Sequence, residues 1–142
     1  MNSMKLRRPK SAHIFNKKVT NPMSLPHFSL WTEAASLVFV SGQLPFDATG
    51  RISETGVSGQ TTQVLRNLEA VVAKAGLKLS NVVKTTVWLR SQSDFVAFNE
   101  SYANYFGKIL PARSTVICAL AHPDALVEIE AIVQRSTLQA II

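Results

Sequence analysis

Apolar residues recur along this chain with two different periods, and the changes of period divide it into elements. "SLVFVSGQ" (36–43) is a short apolar run of the kind a buried strand makes, ending at Gly42. "PFDATGRI" (45–52) follows as a turn punctuated by Asp47 and Gly50. From Ser58 to Ala75 the spacing becomes helical, with Val64, Leu65, Leu68, Val71, Val72 and Ala75 on one stripe and Gly76 as a stop. "NVVKTTVWLR" (81–90) alternates, placing Val83, Thr85, Val87 and Leu89 on one face and Lys84, Thr86, Trp88 and Arg90 on the other. Asp94 then caps a second helix with the stripe Phe95, Phe98, Tyr102, Tyr105 and Phe106, closed by Gly107. The uncharged run Ser114–Leu120 after Arg113 predicts a strand buried in the sheet. His122-Pro123-Asp124 is a turn, and "LVEIEAIVQ" (126–134) is the last strand.

The resulting order, strand, a second short strand, helix, strand, helix, strand, strand, ends on an expected hairpin. It predicts an α+β domain with a sheet carrying both helices on one face. The opposite face of such a sheet needs cover, and its apolar content points to self-association. Ahead of the first strand, Pro9, Pro22 and Pro26 among polar neighbours predict no regular structure over residues 1–27. The length fits a single domain, taken as 23–142, with residues 1–22 as an extension.

Charge sharpens that division. The net charge of +6 would suggest a nucleic-acid partner, but Lys5, Arg7, Arg8, Lys10, Lys17 and Lys18 account for it and no acid precedes Glu33. The other nine basic residues are matched by all nine acidic ones, so the body is neutral and lacks the basic, aromatic-lined stripe of a nucleic-acid surface. The basic arm reads first as a solvated extension. It loosely resembles an organellar transit peptide and lacks the apolar core of a secretory signal, which argues against export. The longest apolar runs are far too short for a bilayer, so no membrane partner is expected. A single cysteine, Cys118, excludes an intrachain disulfide and fits a reducing compartment such as the cytoplasm.

Candidate chemistry is sparse. Arg113 and Thr115 share a side of their strand, and an arginine at that position offers a rigid fork for a carboxylate. Taken alone, it reads more readily as one half of a strand-end ion pair. Glu128 and Glu130 also share a face, roughly 7 Å apart, a spacing that any exposed alternating strand produces. Cys118 among apolar neighbours reads as an inert core thiol. His13, His27 and His122 are scattered, with no ligand cluster for a metal. "SGQTTQ" (58–63) lacks the glycine spacing and lysine of a phosphate loop. The residues alone therefore reach a compact domain with one plausible anion site, and no reaction.

Taken together, "VFVSGQLPFDATG", "QTTQVLRNLEAVVAKAGLKLSNVVKTTVWL", "DFVAFNESYANYF", "PARSTV" and "VEIEAI" resemble the RidA/YjgF family of enamine/imine deaminases, in family order over about residues 28–134. The resemblance implies a chorismate-mutase-like α+β fold and a homotrimer with sites between subunits. It implies no metal or organic cofactor. It implies hydrolysis of 2-imino acids, formed from enamines such as 2-aminoacrylate, to 2-oxo acids and ammonia. By position, Arg113 matches the family's carboxylate-binding arginine and Glu128 the carboxylate that positions or activates water. Asn99 matches an asparagine beside the pocket, and Ser41, Gly42 and Gln43 match a strand end near the cleft. Two positions depart from the pattern. Phe28 stands where many members carry a pocket tyrosine, and Thr115 stands where they often carry cysteine. Both remain substrate-binding candidates with changed polarity, which leaves two alternatives open: a non-catalytic carboxylate-binding regulatory trimer, and, with less support, the RNA binding or cleavage ascribed to some relatives.

Overall fold

The computed structural model describes residues 26–135; the extension 1–22 and its boundary with the domain lie outside the described residues. Five strands and two helices follow in the order β1 (Trp31–Ala34), β2 (Leu37–Gln43), α1 (Val57–Lys74), β3 (Val82–Leu89), α2 (Phe95–Phe106), β4 (Ala112–Ile117) and β5 (Val127–Gln134). They form one mixed sheet in the order β1-β2-β5-β3-β4. Every pairing is antiparallel except β3 with β4, which the α2 crossover makes parallel. α1 packs over β2 and β5 and against α2, so both helices lie on one face as expected.

The core forms between that face and the helices. From α1 it takes Val64, Leu65, Leu68 and Val72, and from the sheet Val38, Val40, Val87, Leu89, Val127, Ile129 and Val133. Full burial of side chains this size contributes about 1.5–3 kcal/mol each before chain entropy is subtracted. Gln60, 2% exposed, is the main polar group in this layer. Its amide donates to the carbonyls of Glu54 (2.9 Å) and Asp124 (3.0 Å) and accepts from the Leu126 N–H (2.7 Å), fastening the last loop to α1. α1 and α2 stop where expected, with Gly76 and Gly107 in left-handed conformations at φ 78° and 58°.

Several expectations change. The last two strands are not a hairpin: β5 enters between β2 and β3, and β4 lies at the sheet edge. Consequently the segment after Arg113 is not buried; Val116 and Ile117 are 44% and 45% exposed, and the strand ends at Ile117. Cys118 is half-buried rather than in the core. A bulge between Val82 and Lys84 moves Val83 off the core face and puts Val82 there instead. Asp94 sits at the start of α2 but makes no side-chain cap; Ser91, one turn earlier, accepts from the Ser93 N–H and opens a short 3₁₀ turn that leads into the helix. Of the aromatic stripe, Phe98, Tyr102 and Phe106 are buried and Phe95 is 39% exposed.

Candidate active site

Arg113 points to the helix side of the sheet. It is the register partner of Thr85 on β3, and directly paired residues on neighbouring strands share a face; Thr85 is fully buried against the helices. From there the guanidinium reaches α2. Its Nη2 donates to Asn99 Oδ1 (2.9 Å), and its carbon lies 4.7 Å from the Tyr102 ring centre and 5.3 Å from that of Phe98. Among the described residues Arg113 makes no ion pair, so the strand-end salt bridge that sequence alone favoured is not formed. Asn99 and Arg113 are brought together as expected, and Thr115 follows on the same face. A guanidinium held by an amide and two aromatic rings keeps its charge and most of its donors available to an anion.

Glu128 is on the other side. It pairs across the ladder with Trp88, and Glu130 with Thr86, so both carboxylates rise from the face that carries no helices. β2 shapes the ground beneath Glu128. A bulge between Val40 and Gln43 breaks the β2–β5 register there, and Gly42 presents bare backbone to the carboxylate. A Cβ at position 42 would lie 3.1 Å from Glu128 Cδ and 3.3 Å from Cγ, and would overlap Oε1. Partial burial, and then the nearby charge of Glu130, raise the Glu128 pKa above the ordinary carboxylate value. The rest of this strand end is fixed by Ser41, whose N–H bonds the Leu30 carbonyl (3.0 Å) and whose hydroxyl bonds that of Ser29 (2.6 Å), while the Gln43 amide donates to the Ser41 carbonyl (2.9 Å).

Within one chain the predicted residues therefore fall into two half-sites. Arg113, Asn99 and Thr115 form one on the helix side; Glu128 and Gly42 form the other on the open side, with β3 between the strands that carry the two charges, while Gln43 pairs with the buried Ile129 and so turns to the helix side. Phe28 belongs to neither half-site and is 65% exposed. His122 stacks edge-on against Phe46, and its Nδ1 accepts the Asp124 N–H (3.2 Å), a loop-stabilising arrangement. Among the described residues no group of three or more His, Cys, Asp or Glu side chains is placed to hold a metal ion, and no helix is long and apolar enough to cross a membrane. Sequence reasoning passed over Tyr102, because its place in an aromatic stripe marked it only as core. Its partner Thr85, a hydroxyl on the buried face of an alternating strand, was the available signal.

The two half-sites occur in segments shared with known proteins. A family model described as Endoribonuclease L-PSP matches residues 19–135. The chain is 39% identical over 123 residues to a RutC family protein of Pyrococcus horikoshii, covering 86% of this chain and 96% of that one. It is 39% identical over 118 residues to the 2-iminobutanoate/2-iminopropanoate deaminase of Salmonella typhimurium, covering 80% and 91%. The crystal structure of the YjgF gene product from E. coli superposes with a TM-score of 0.74 at 34% identity, covering 81% of this chain and 93% of that one. With its mixed five-stranded sheet, its two helices on one face and this match along most of its length, the chain belongs to the Endoribonuclease L-PSP family, also known as YjgF/RidA, which includes deaminases of reactive imines.

Proposed function

We propose that this protein hydrolyses 2-imino acids to 2-oxo acids and ammonia, in sites completed between the subunits of a homotrimer. One observation carries the reading. A guanidinium that makes no ion pair among the described residues and a carboxylate of raised pKa stand on opposite faces of the same sheet, so neither can serve the other within a single chain. The Salmonella relative, a 2-iminobutanoate/2-iminopropanoate deaminase, supports the reaction class.

Arg113 takes the substrate carboxylate through the donors that Asn99 leaves free, which orients the imine carbon. Glu128 of a neighbouring copy accepts a proton from water as the water oxygen bonds to that carbon. The imine nitrogen, which enters already protonated by solvent, takes the C=N electron pair and becomes an amine. Glu128 returns its proton to this nitrogen, the C–N bond breaks with its electron pair leaving on ammonia, and the carbonyl forms as the hydroxyl passes its proton to solvent, replacing the one the imine took up. A carboxylate of raised pKa is the stronger base for the first step. The imine is already electrophilic and needs no more than positioning and this proton transfer.

The direct test generates imino acids in situ with an amino-acid oxidase and follows their decay. Wild type should accelerate it across a panel of 2-imino acids and Arg113→Ala should not; equal inertness of the two would remove the proposal. Thermal stabilisation of wild type by 2-oxo acids without turnover would instead support a carboxylate-binding regulator, the reading that Phe28 and Thr115 favour by withholding a hydroxyl and a thiol. For RNA cleavage the described body offers only a balanced charge, nine basic side chains against nine acidic ones.

Gly42→Ala gives a finer check. The atom a methyl group would displace is the free end of the Glu128 side chain, so the melting temperature should barely move. Turnover should fall more than about tenfold as the carboxylate leaves its position. An active Gly42→Ala variant would show that the seat of Glu128 is irrelevant to the chemistry.

A further inference from the structure

Arg113 is held less by polar bonds than by an aromatic platform. Tyr102 lies one turn beyond Asn99 on α2, and its ring is the closer of the two beneath the guanidinium, at 4.7 Å. That ring has no freedom of its own. Its hydroxyl shares a 2.7 Å hydrogen bond with Thr85 Oγ1, both side chains are buried at 7% and 0% exposure, and the rings of Phe98 and Phe106 flank it at 5.6 and 4.6 Å. Thr85 is in turn the register partner of Arg113 itself. The geometry closes a loop: strand register places Thr85, Thr85 fixes the ring, and the ring faces the guanidinium whose backbone Thr85 adjoins. Burial holds the Tyr102 phenol above its usual pKa, so the platform stays neutral through the physiological range.

We propose that Tyr102 is a positioning residue for carboxylate recognition: the Thr85-anchored ring sets where the Arg113 guanidinium sits, and Asn99 sets its rotation, leaving the remaining edge of the fork turned outward. This inference rests on the reading of Arg113 as the carboxylate receptor. An unsupported arginine would have to surrender several rotatable bonds each time it captured an anion, and the platform removes that ordering cost before the ligand arrives. The ring touches no reacting atom, so its loss should weaken ligand binding and leave the proton-transfer step in place.

The experiment measures pyruvate and 2-oxobutanoate binding by calorimetry, beside steady-state kinetics, for wild type, Tyr102→Leu and Tyr102→Phe. Tyr102→Leu should raise Kd and KM about tenfold with kcat changed less than about twofold. Tyr102→Phe keeps the ring and loses its anchor at Thr85, so it should melt at a lower temperature and bind about threefold more weakly than wild type, between wild type and Tyr102→Leu. A Tyr102→Leu protein that binds as tightly as wild type, or a Tyr102→Phe protein as weak as Tyr102→Leu, overturns the inference. Failure of wild type to bind any 2-oxo acid overturns the receptor reading and this inference with it, whereas tight binding indifferent to Tyr102 overturns the inference alone. Nuclear magnetic resonance of the wild type decides the matter even where Tyr102→Leu does not fold. The Arg113 side-chain Nε–H and Cδ protons, assigned by their loss in Arg113→Lys, should show ring-current shifts to high field; unshifted signals overturn the platform.

Discussion

Arg113→Ala and Glu128→Ala should each be inactive alone, and the two proteins refolded together should regain about a quarter of the wild-type rate. The expectation follows from the two half-sites. Arg113 leaves the sheet on the helix side with Thr85, and Glu128 leaves it on the open side with Trp88. β3 stands between their strands, and no side-chain rotation carries either group through a hydrogen-bonded sheet. If each site takes its arginine from one subunit and its glutamate from the next, an equimolar mixture assembles at random. A given junction then receives an intact arginine with probability one half and an intact glutamate with probability one half. A mixture that stays dead, with mixed assembly proven by differently tagged subunits, would mean that both groups act from one chain, and the inter-subunit site would have to be abandoned.

The second large effect has opposite signs for activity and stability. Glu128→Gln should cut turnover by about 10²–10⁴-fold, the usual contribution of a positioned base, and should also raise the melting temperature at neutral pH. The sign comes from linkage. The folded chain holds the Glu128 pKa above its unfolded value because partial burial and then Glu130 disfavour the charged form. Below the unfolded pKa both states carry the proton and Glu128 is neutral in effect. As pH rises from the unfolded value through the folded one, the unfolded chain releases its proton more readily, and stability is lost. The stabilisation by Glu128→Gln should therefore be present at pH 7 and shrink in acid. Melting curves of both proteins at neutral and acidic pH measure it; a Gln variant less stable than wild type at pH 7 would mean the carboxylate has a favourable partner in the assembly. The wild-type kcat/KM should fall in acid with an inflection displaced upward from that of an ordinary glutamate.

Most elements were legible because period is a local property; β1 (Trp31–Ala34), four residues long with no alternation of its own, was not assigned. The α1 stripe, the α2 aromatics and the alternation of β3 and β5 each lie within a single window, and the structure follows them to within a few residues. The order of strands was not legible, since nothing near residue 127 states that β5 inserts between β2 and β3 and not beside β4. That placement depends on burying Val127, Ile129, Ala131 and Val133 under α1, a contact made across the whole chain. The bulge that ejects Val83 escaped notice for a related reason, because an alternating pattern reads equally well in either of two registers until a partner strand chooses one. The resemblance supplied Arg113, Asn99 and Glu128 as site residues, and parity along each strand linked Arg113 to Thr115 and Glu128 to Glu130. Their separation onto two faces needed the register between strands. Tyr102 stayed hidden behind the same periodicity that identified its helix.

The central position of β5 bears on how the chain is made. A ribosome delivers β1 and β2 first, then α1, then the β3–α2–β4 unit, and each of these early pieces can form from neighbouring residues. The two halves of the sheet share no strand ladder until β5 is synthesised, because the ladder between β2 and β3 is wholly its own. The sheet is thus keyed by its last strand, and nascent chains lacking it carry two exposed sheet edges and an α1 with only part of its platform. Folding of this sheet therefore waits on β5, and because that strand makes the longest-range pairings, the interval before it docks is the one in which unpaired edges are exposed to aggregation.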